Sequence, residues 1–250
     1  MVVLPTYNER ENLAAAVAAI TASVPKADIL VVDDNSPDGT GALADALAAA
    51  DPRVHVLHRP AKQGLGAAYL AAFEWALRLG YTAIVECDAD GSHDPAELPG
   101  LLLELADHDL VIGSRWVAGG RVVDWPFSRR LLSRAGSFYA RRMLRLDQHD
   151  VTGGYRAFRS GTLRRIGLET ITSQGYCFQI EMLWRTQRAG LRIAEVPITF
   201  TDRRLGSSKM RWTIALEALS RVTAWGFGIG VPARHATSRG FRTDTAARTR

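Results

Sequence analysis

Between Val2 and Gly113, short β-rich runs alternate with helical patterns, and this alternation limits the possible folds more than any other feature. "VVL" from Val2 opens the series. A helical stretch from Glu9 follows, with Asn8 as its cap and Glu11 three positions further on. "ILVV" (29–32) leads past Gly39 into an alanine-rich helix. Val54 to Leu57 reads as a strand before a helix over Gly66 to Leu79. "AIVEC" (83–87) is followed by Asp94-Pro95, a cap and first helical residue, and then by "LVIG" (110–113). Repeated units of this kind predict an α/β fold with a mostly parallel central sheet and helices on both faces.

The second half is less regular. Arg129 to Leu146 reads as a basic helix with apolar positions at Leu131, Leu132, Ala135, Phe138, Tyr139 and Leu146. Gly153 to Arg159 reads as a strand, Tyr176 to Ala189 as a helix, Ile193 to Phe200 as a strand, and Thr213 to Trp225 as an amphipathic helix. The 250 residues suffice for one large core. The expected organisation is one domain over 1–231 and a basic, disordered tail over 232–250.

The formal charge of +5 is concentrated in two places. Residues 233–250 carry five arginines against Asp244, and residues 121–145 carry seven arginines against Asp124. Glu217 and Arg221 would be costly in hydrocarbon, so residues 212–231 are expected to form a soluble or interfacial helix rather than a span. No leader pattern is read at the start. Two cysteines, Cys87 and Cys177, are too few for a disulfide framework and lack metal-ligand spacing, which fits a reducing compartment.

The chemistry concentrates at strand ends. Asp88-Ala89-Asp90 directly follows a buried strand, at the edge where open α/β sheets bind ligands. Like charges so crowded call for a cation or hydrogen-bond donors, and Mg²⁺ or Mn²⁺ takes such oxygen ligands together with substrate phosphates. The alternative, capping of the next helix, is better served by Asp94. Asp33-Asp34 forms a second acidic strand end, before "NSPDGT", where turn chemistry alone is an adequate account, but two acidic strand ends of one parallel sheet should face the same crevice, which favours both holding a ligand. Gly64-Leu65-Gly66 precedes a helix, so its backbone N–H groups could meet phosphate. It is no dinucleotide fingerprint, because Tyr69 stands where the third glycine belongs. Arg203 and Lys209 lie in a Gly/Ser loop, as phosphate-binding cations or as solvated charge. His93 is the one histidine near the acids, and it is expected to support the site rather than to ligate.

Together these residues resemble a known family. "PTYNERENL" (5–13), "VVDDNSPDGT" (31–40), "GLGAAY" (64–69), "DADGSH" (88–93), "GSR" (113–115), "TGGYRAFR" (152–159) and "DRRLGSSKM" (202–210) occur in order. They resemble the family-2 glycosyltransferases and, within them, the polyprenyl (dolichyl) phosphate mannosyltransferases, most closely the actinobacterial catalytic domain. The resemblance covers about residues 2–226. It implies a GT-A fold and metal-dependent, inverting transfer of mannose from GDP-mannose to polyprenyl phosphate. A different donor, such as UDP-glucose, or an inactive scaffold subunit, are the alternatives.

Carried over by position, Pro5, Tyr7, Glu9, Val32 and Asp34 would hold the guanosine. Asp88 and Asp90, with the backbone at Ala89, would hold metal and diphosphate. Arg115 and Arg129 would line the sugar and acceptor side, and Arg203 and Lys209 the phosphates. Ser92 stands where some members place a glutamine ligand, so a hydroxyl or a water would complete the metal shell. Asn35 replaces a usual glycine, which asparagine's tolerance of the left-handed region allows. The resemblance further implies a cytoplasmic enzyme, peripheral at the cytoplasmic face of the membrane. The membrane surface and an integral membrane protein are expected partners, and nucleic acid is not.

Overall fold

The computed structural model describes residues 1–202 and 212–230. Its elements run β1 (Val2–Thr6), α1 (Arg10–Ser23), β2 (Ile29–Asp33), α2 (Thr40–Ala50), β3 (Val54–His58), α3 (Leu65–Arg78) and β4 (Ala83–Glu86). Then come α4 (Leu98–Glu104), β5 (Leu110–Ser114), β6 (Arg121–Val123), α5 (Phe127–Leu144), β7 (Arg156–Arg159) and α6 (Ser160–Arg165). The series closes with α7 (Gly175–Arg188), β8 (Ile193–Pro197), β9 (Thr199–Thr201) and α8 (Trp212–Gly226).

Seven strands form one sheet in the order β3-β2-β1-β4-β7-β5-β8, and β6 pairs with β9 in a small separate sheet. Only β7 runs antiparallel in the large sheet, so the α/β reading with a mostly parallel sheet holds. Its strands are apolar on both sides because both sides are covered. Val3, Leu30, Val32, Ile84, Ile112 and Phe158 join the core beneath α3, α5, α7 and α8. Their neighbours Val2, Leu4, Ile29, Val31, Val85 and Val111 join the core beneath α1, α2 and α4. The strand order reverses between β1 and β4, which opens a crevice at the carboxyl ends of those strands.

Local departures from the sequence reading have physical causes. Asn8 does not cap α1. It sits in the left-handed region at φ 56°, its N–H donates to Ser36 Oγ, and the helix starts from Glu9. Asp94 does cap, accepting from the Ala96 N–H, but a 3₁₀ turn over Pro95–Glu97 precedes α4. The expected strand from Gly153 starts only at Arg156. The strand expected over 193–200 breaks after Pro197, which has no N–H to continue a ladder. Its first part pairs with β5 and its second with β6.

The basic helix starts earlier than read, at Phe127, and ends at Leu144, where Arg145 turns left-handed. Its expected apolar stripe is split. Ser137, Ala140 and Leu144 face the core, and Leu146, beyond the helix end, is also buried. Leu131, Leu132 and Phe138 instead face solvent together with Phe127.

Candidate active site

The parallel strands deliver the carboxyl ends of β1, β2 and β4 to one edge, and Pro5, Tyr7, Glu9, Val32, Asp34, Asp88 and Asp90 lie on or just after those strands. Pro5 pairs with Val32 across β1 and β2, and the Val32 side chain is buried in the core. Tyr7 follows β1, half-buried, with Lys62 Nζ 3.9 Å above its ring. The Glu9 carboxylate accepts from Asn12 Nδ2 at 2.8 Å.

The two acids after β2 divide their tasks. Asp33 is fixed in turn chemistry, accepting from Thr6 Oγ1 and from the N–H and Oγ of Ser36. Asp34 is buried beside Arg59, whose Nη1 lies 2.6 Å from Oδ1. Burial pushes the Asp34 carboxyl up and Arg59 pulls it back only in part. Asn35 takes φ 58°, the left-handed conformation expected of it. The glycines of Gly64-Leu65-Gly66 answer to packing. A Cβ on Gly66 would lie 2.9 Å from the Ser173 carbonyl oxygen, and one on Gly64 would lie 2.6 Å from Gln174 Oε1.

After β4 the chain reaches Asp88 and Asp90, both half-buried on either side of buried Ala89. Asp90 Oδ1 accepts from the Ser92 N–H at 3.0 Å. Ser92 itself is buried, and its hydroxyl has no hydrogen-bond partner among the described residues. No group of three or more His, Cys, Asp or Glu side chains forms a metal cage among those residues. Two carboxylates beside an orphaned hydroxyl fit a hard cation that completes its shell with water and substrate oxygens.

His93 braces this loop. Its Nδ1 accepts from the Asp88 N–H, so the ring proton lies on Nε2. The ring stacks on Tyr155 at 4.6 Å, and burial pushes its pKa down to about 4, against the pull of Asp90. Beneath the loop, Glu86 is fully buried. Gln179 Nε2 donates to its Oε2 while Oε1 has no partner among the described residues, and burial pushes the carboxyl up to about 8 despite Arg156.

The arginine side is built around a buried ion pair. Arg115 donates from Nε and Nη2 to the two carboxylate oxygens of Asp150 at 2.7 and 2.6 Å, and its backbone N–H adds a third bond. Burial raises the Asp150 carboxyl, but the Arg115 charge and these bonds outweigh it and hold the group below its usual range. Arg129, on α5, lies 4.1 Å from the Trp125 ring centroid and bonds both oxygens of Asp202 at 2.8 Å. Arg203 and Lys209 lie outside the described residues, as does the tail from 231.

Sequence reasoning missed Arg59, Trp116, Trp125, Asp150, Glu86 and Gln179. Several of their partners lie far along the chain, 35 residues away for Asp150 and Arg115 and 93 for Gln179 and Glu86. The one usable signal was Asp150 itself, an acid just before the "TGGYRAFR" segment.

Comparison with known proteins gives the family and the fold. The family model described as "Glycosyl transferase family 2" matches residues 1–167. An undecaprenyl-phosphate mannosyltransferase of Micrococcus luteus is 56% identical over 226 residues, covering 90% of this chain and 93% of that protein. A polyprenol monophosphomannose synthase of Mycolicibacterium smegmatis is 55% identical over 228 residues, covering 90% and 86%. Among solved structures, glucosyl-3-phosphoglycerate synthase of Mycobacterium tuberculosis in complex with Mn²⁺, UDP and phosphoglyceric acid superposes with a TM-score of 0.69. It is 20% identical, covering 93% of this chain and 78% of that one, a likeness of fold. That fold is GT-A, as the resemblance implied. By the family model over its first two thirds and by relatives of high identity over nine tenths of its length, the chain belongs to glycosyl transferase family 2.

Proposed function

We propose that the protein transfers mannose from GDP-mannose to a polyprenyl phosphate, with inversion at the sugar carbon, at the cytoplasmic face of a membrane. One observation carries the reading: an acid pair and an arginine cluster meet at the same sheet edge. Asp88 and Asp90 follow β4, while Arg115 follows β5 and Arg129 sits at the start of α5. An anionic donor and an anionic acceptor need this division of charge. The names of the two relatives support the sugar and the acceptor class.

Asp88, Asp90 and the Ser92 hydroxyl would hold Mg²⁺ or Mn²⁺, which when bound would neutralise charge developing on the departing diphosphate. The half-buried Tyr7 and the buried Asp34 would orient the nucleoside, with Pro5, Glu9 and Val32 shaping its seat. Arg203 and Lys209 are assigned to the phosphates from sequence alone. The nucleophile is an oxygen of the acceptor phosphate. Its second pKa is about 6, so it arrives largely as a dianion and needs no base. His93 suits a bracing role, being neutral and engaged through Nδ1 with the metal loop.

The acceptor's lipid tail requires a meeting at the bilayer. No helix among the described residues is long and apolar enough to cross a membrane. On α5, Phe127 (76% exposed), Phe138 (64%), Leu131 and Leu132 face outward among the exposed Arg130, Arg134 and Arg142. A helix with such a surface can lie in the headgroup plane. The testing experiment offers GDP-mannose, UDP-glucose and other nucleotide sugars, each with a short polyprenyl phosphate and Mg²⁺ or Mn²⁺, and identifies products by mass spectrometry. A hexosyl polyprenyl phosphate from GDP-mannose alone is expected. The same product from UDP-glucose, with none from GDP-mannose, would refute the donor assignment.

A further inference from the structure

Two tryptophans left unused by this reaction stand among the arginines. Trp125, between β6 and α5, is nine-tenths buried, and Trp116, next to Arg115, is half-buried. The indole N–H of each is shielded from solvent and has no hydrogen-bond partner among the described residues. Cations surround both rings. The Arg115 guanidinium carbon lies 5.5 Å from each ring centroid, Arg129's lies 4.1 Å from that of Trp125, and Arg134's lies 5.7 Å from that of Trp116. Phe200 meets Trp125 edge-on at 5.3 Å and fixes its plane.

An indole N–H donates and never accepts, and a buried donor left without a partner is destabilising. The cluster therefore offers hydrogen-bond donors and positive charge. A sugar hydroxyl would also need an acceptor for its own proton, whereas a phosphate monoester needs donors only. Among the described residues the one carboxylate paired with Arg129 is Asp202, and that pair is about one-quarter to one-third exposed. We infer that Trp116 and Trp125 bind the acceptor, donating their indole N–H groups to its phosphate once that phosphate replaces Asp202 on Arg129. The identity of the anion rests on the function proposed above.

Trp125→Phe and Trp116→Phe each keep an aromatic ring and delete one donor. Calorimetric binding of a short prenyl phosphate to wild type and to both variants reads the contact without catalysis. Each variant is expected to weaken prenyl phosphate binding about tenfold or more, the factor one hydrogen bond to a charged group supplies. The Kd for GDP with Mg²⁺ and the melting temperature should stay at wild-type values. In turnover, the acceptor KM should rise while the donor KM does not. Unchanged prenyl phosphate binding in both variants overturns the inference, and so does an equal loss of GDP binding. An effect in only one variant assigns the contact to that indole and overturns it for the other. Wild type that binds no prenyl phosphate also overturns it. Wild type that binds prenyl phosphate but transfers nothing from GDP-mannose refutes the reaction and leaves this inference standing.

Discussion

At Glu86 a carboxyl group is buried with one oxygen unpartnered among the described residues, two positions before the acid pair. Its pKa rises from 4.5 to about 8 because burial disfavours the ionised form more than Arg156 and Gln179 favour it. The folded state thus holds the proton more tightly than the unfolded chain does. The stability this proton contributes is complete below pH 4.5 and is lost as the pH rises through about 8. Glu86→Gln, neutral at every pH, should therefore gain on wild type across that window by up to a few kcal/mol. Melting temperatures at pH 5 and pH 8.5 in chelator check this, and an offset that does not change with pH would contradict it. A second residue-scale expectation concerns the nucleophile. With His93 held neutral and no base required, the transfer rate should climb through pH about 6 and then stay level to pH 8. A further limb near pH 7 or above, removed by a single substitution, would point to a protein base. Asp88 and Asp90 were legible in the sequence because an acid pair after an apolar run is unusual in itself. Trp125 and Asp150 were not, because Phe200 and Arg115, which give them meaning, are brought near only by the fold, and nothing in the sequence marks the Trp116 N–H as unpartnered among the described residues.

Among the elements, strand–helix alternation exposed β1 to β5 and their helices, since short continuous apolar runs differ from the longer helical patterns between them. The direction of β7 left no trace in its own residues. A buried strand of "RAFR" reads the same whether its neighbours run with it or against it. α7 was read as a helix over Tyr176 to Ala189, but its burial was not visible. Cys177 to Thr186 are all buried, and its charged members are satisfied internally, as with Glu181 and Arg185 at 2.5 Å. The pattern of α5 was visible, but the surface that covers each face was not. Its side toward α8 is joined by Tyr139 and Thr223 at 2.6 Å, and on its outer side Phe127, Leu131, Leu132 and Phe138 are exposed. If that side meets lipid, Leu131→Ser with Phe138→Ser should abolish most binding to anionic liposomes. Because both side chains are already exposed, the melting temperature should hardly move. Liposome flotation reads the first and thermal unfolding the second. Undiminished flotation would take the membrane contact away from this helix.

Over the whole molecule, function follows from strand order. Placing β1 beside both β2 and β4 sends the chain to opposite sides of a central strand, and the crevice between them receives the ends of all three. Residues separated by more than eighty positions, Tyr7 and Asp90 among them, are thereby brought to one edge. Beyond β5 the same edge carries the buried Arg115–Asp150 pair, with the Arg129 cluster stacked against it through Trp125. Along that edge the acid pair after β4 and the arginine after β5 are separated by the single strand β7. The central claim is that the acid half works by holding a divalent cation against the donor diphosphate. Its most direct test is the rate of mannosyl transfer from GDP-mannose to a short polyprenyl phosphate as Mg²⁺ or Mn²⁺ is removed and restored, in wild type and in Asp90→Asn. The expected result is loss of transfer in chelator, full recovery on adding the ion back, and an Asp90→Asn protein that melts like wild type yet transfers nothing at any ion concentration. Undiminished transfer in excess chelator, or an active Asp90→Asn, would contradict the account.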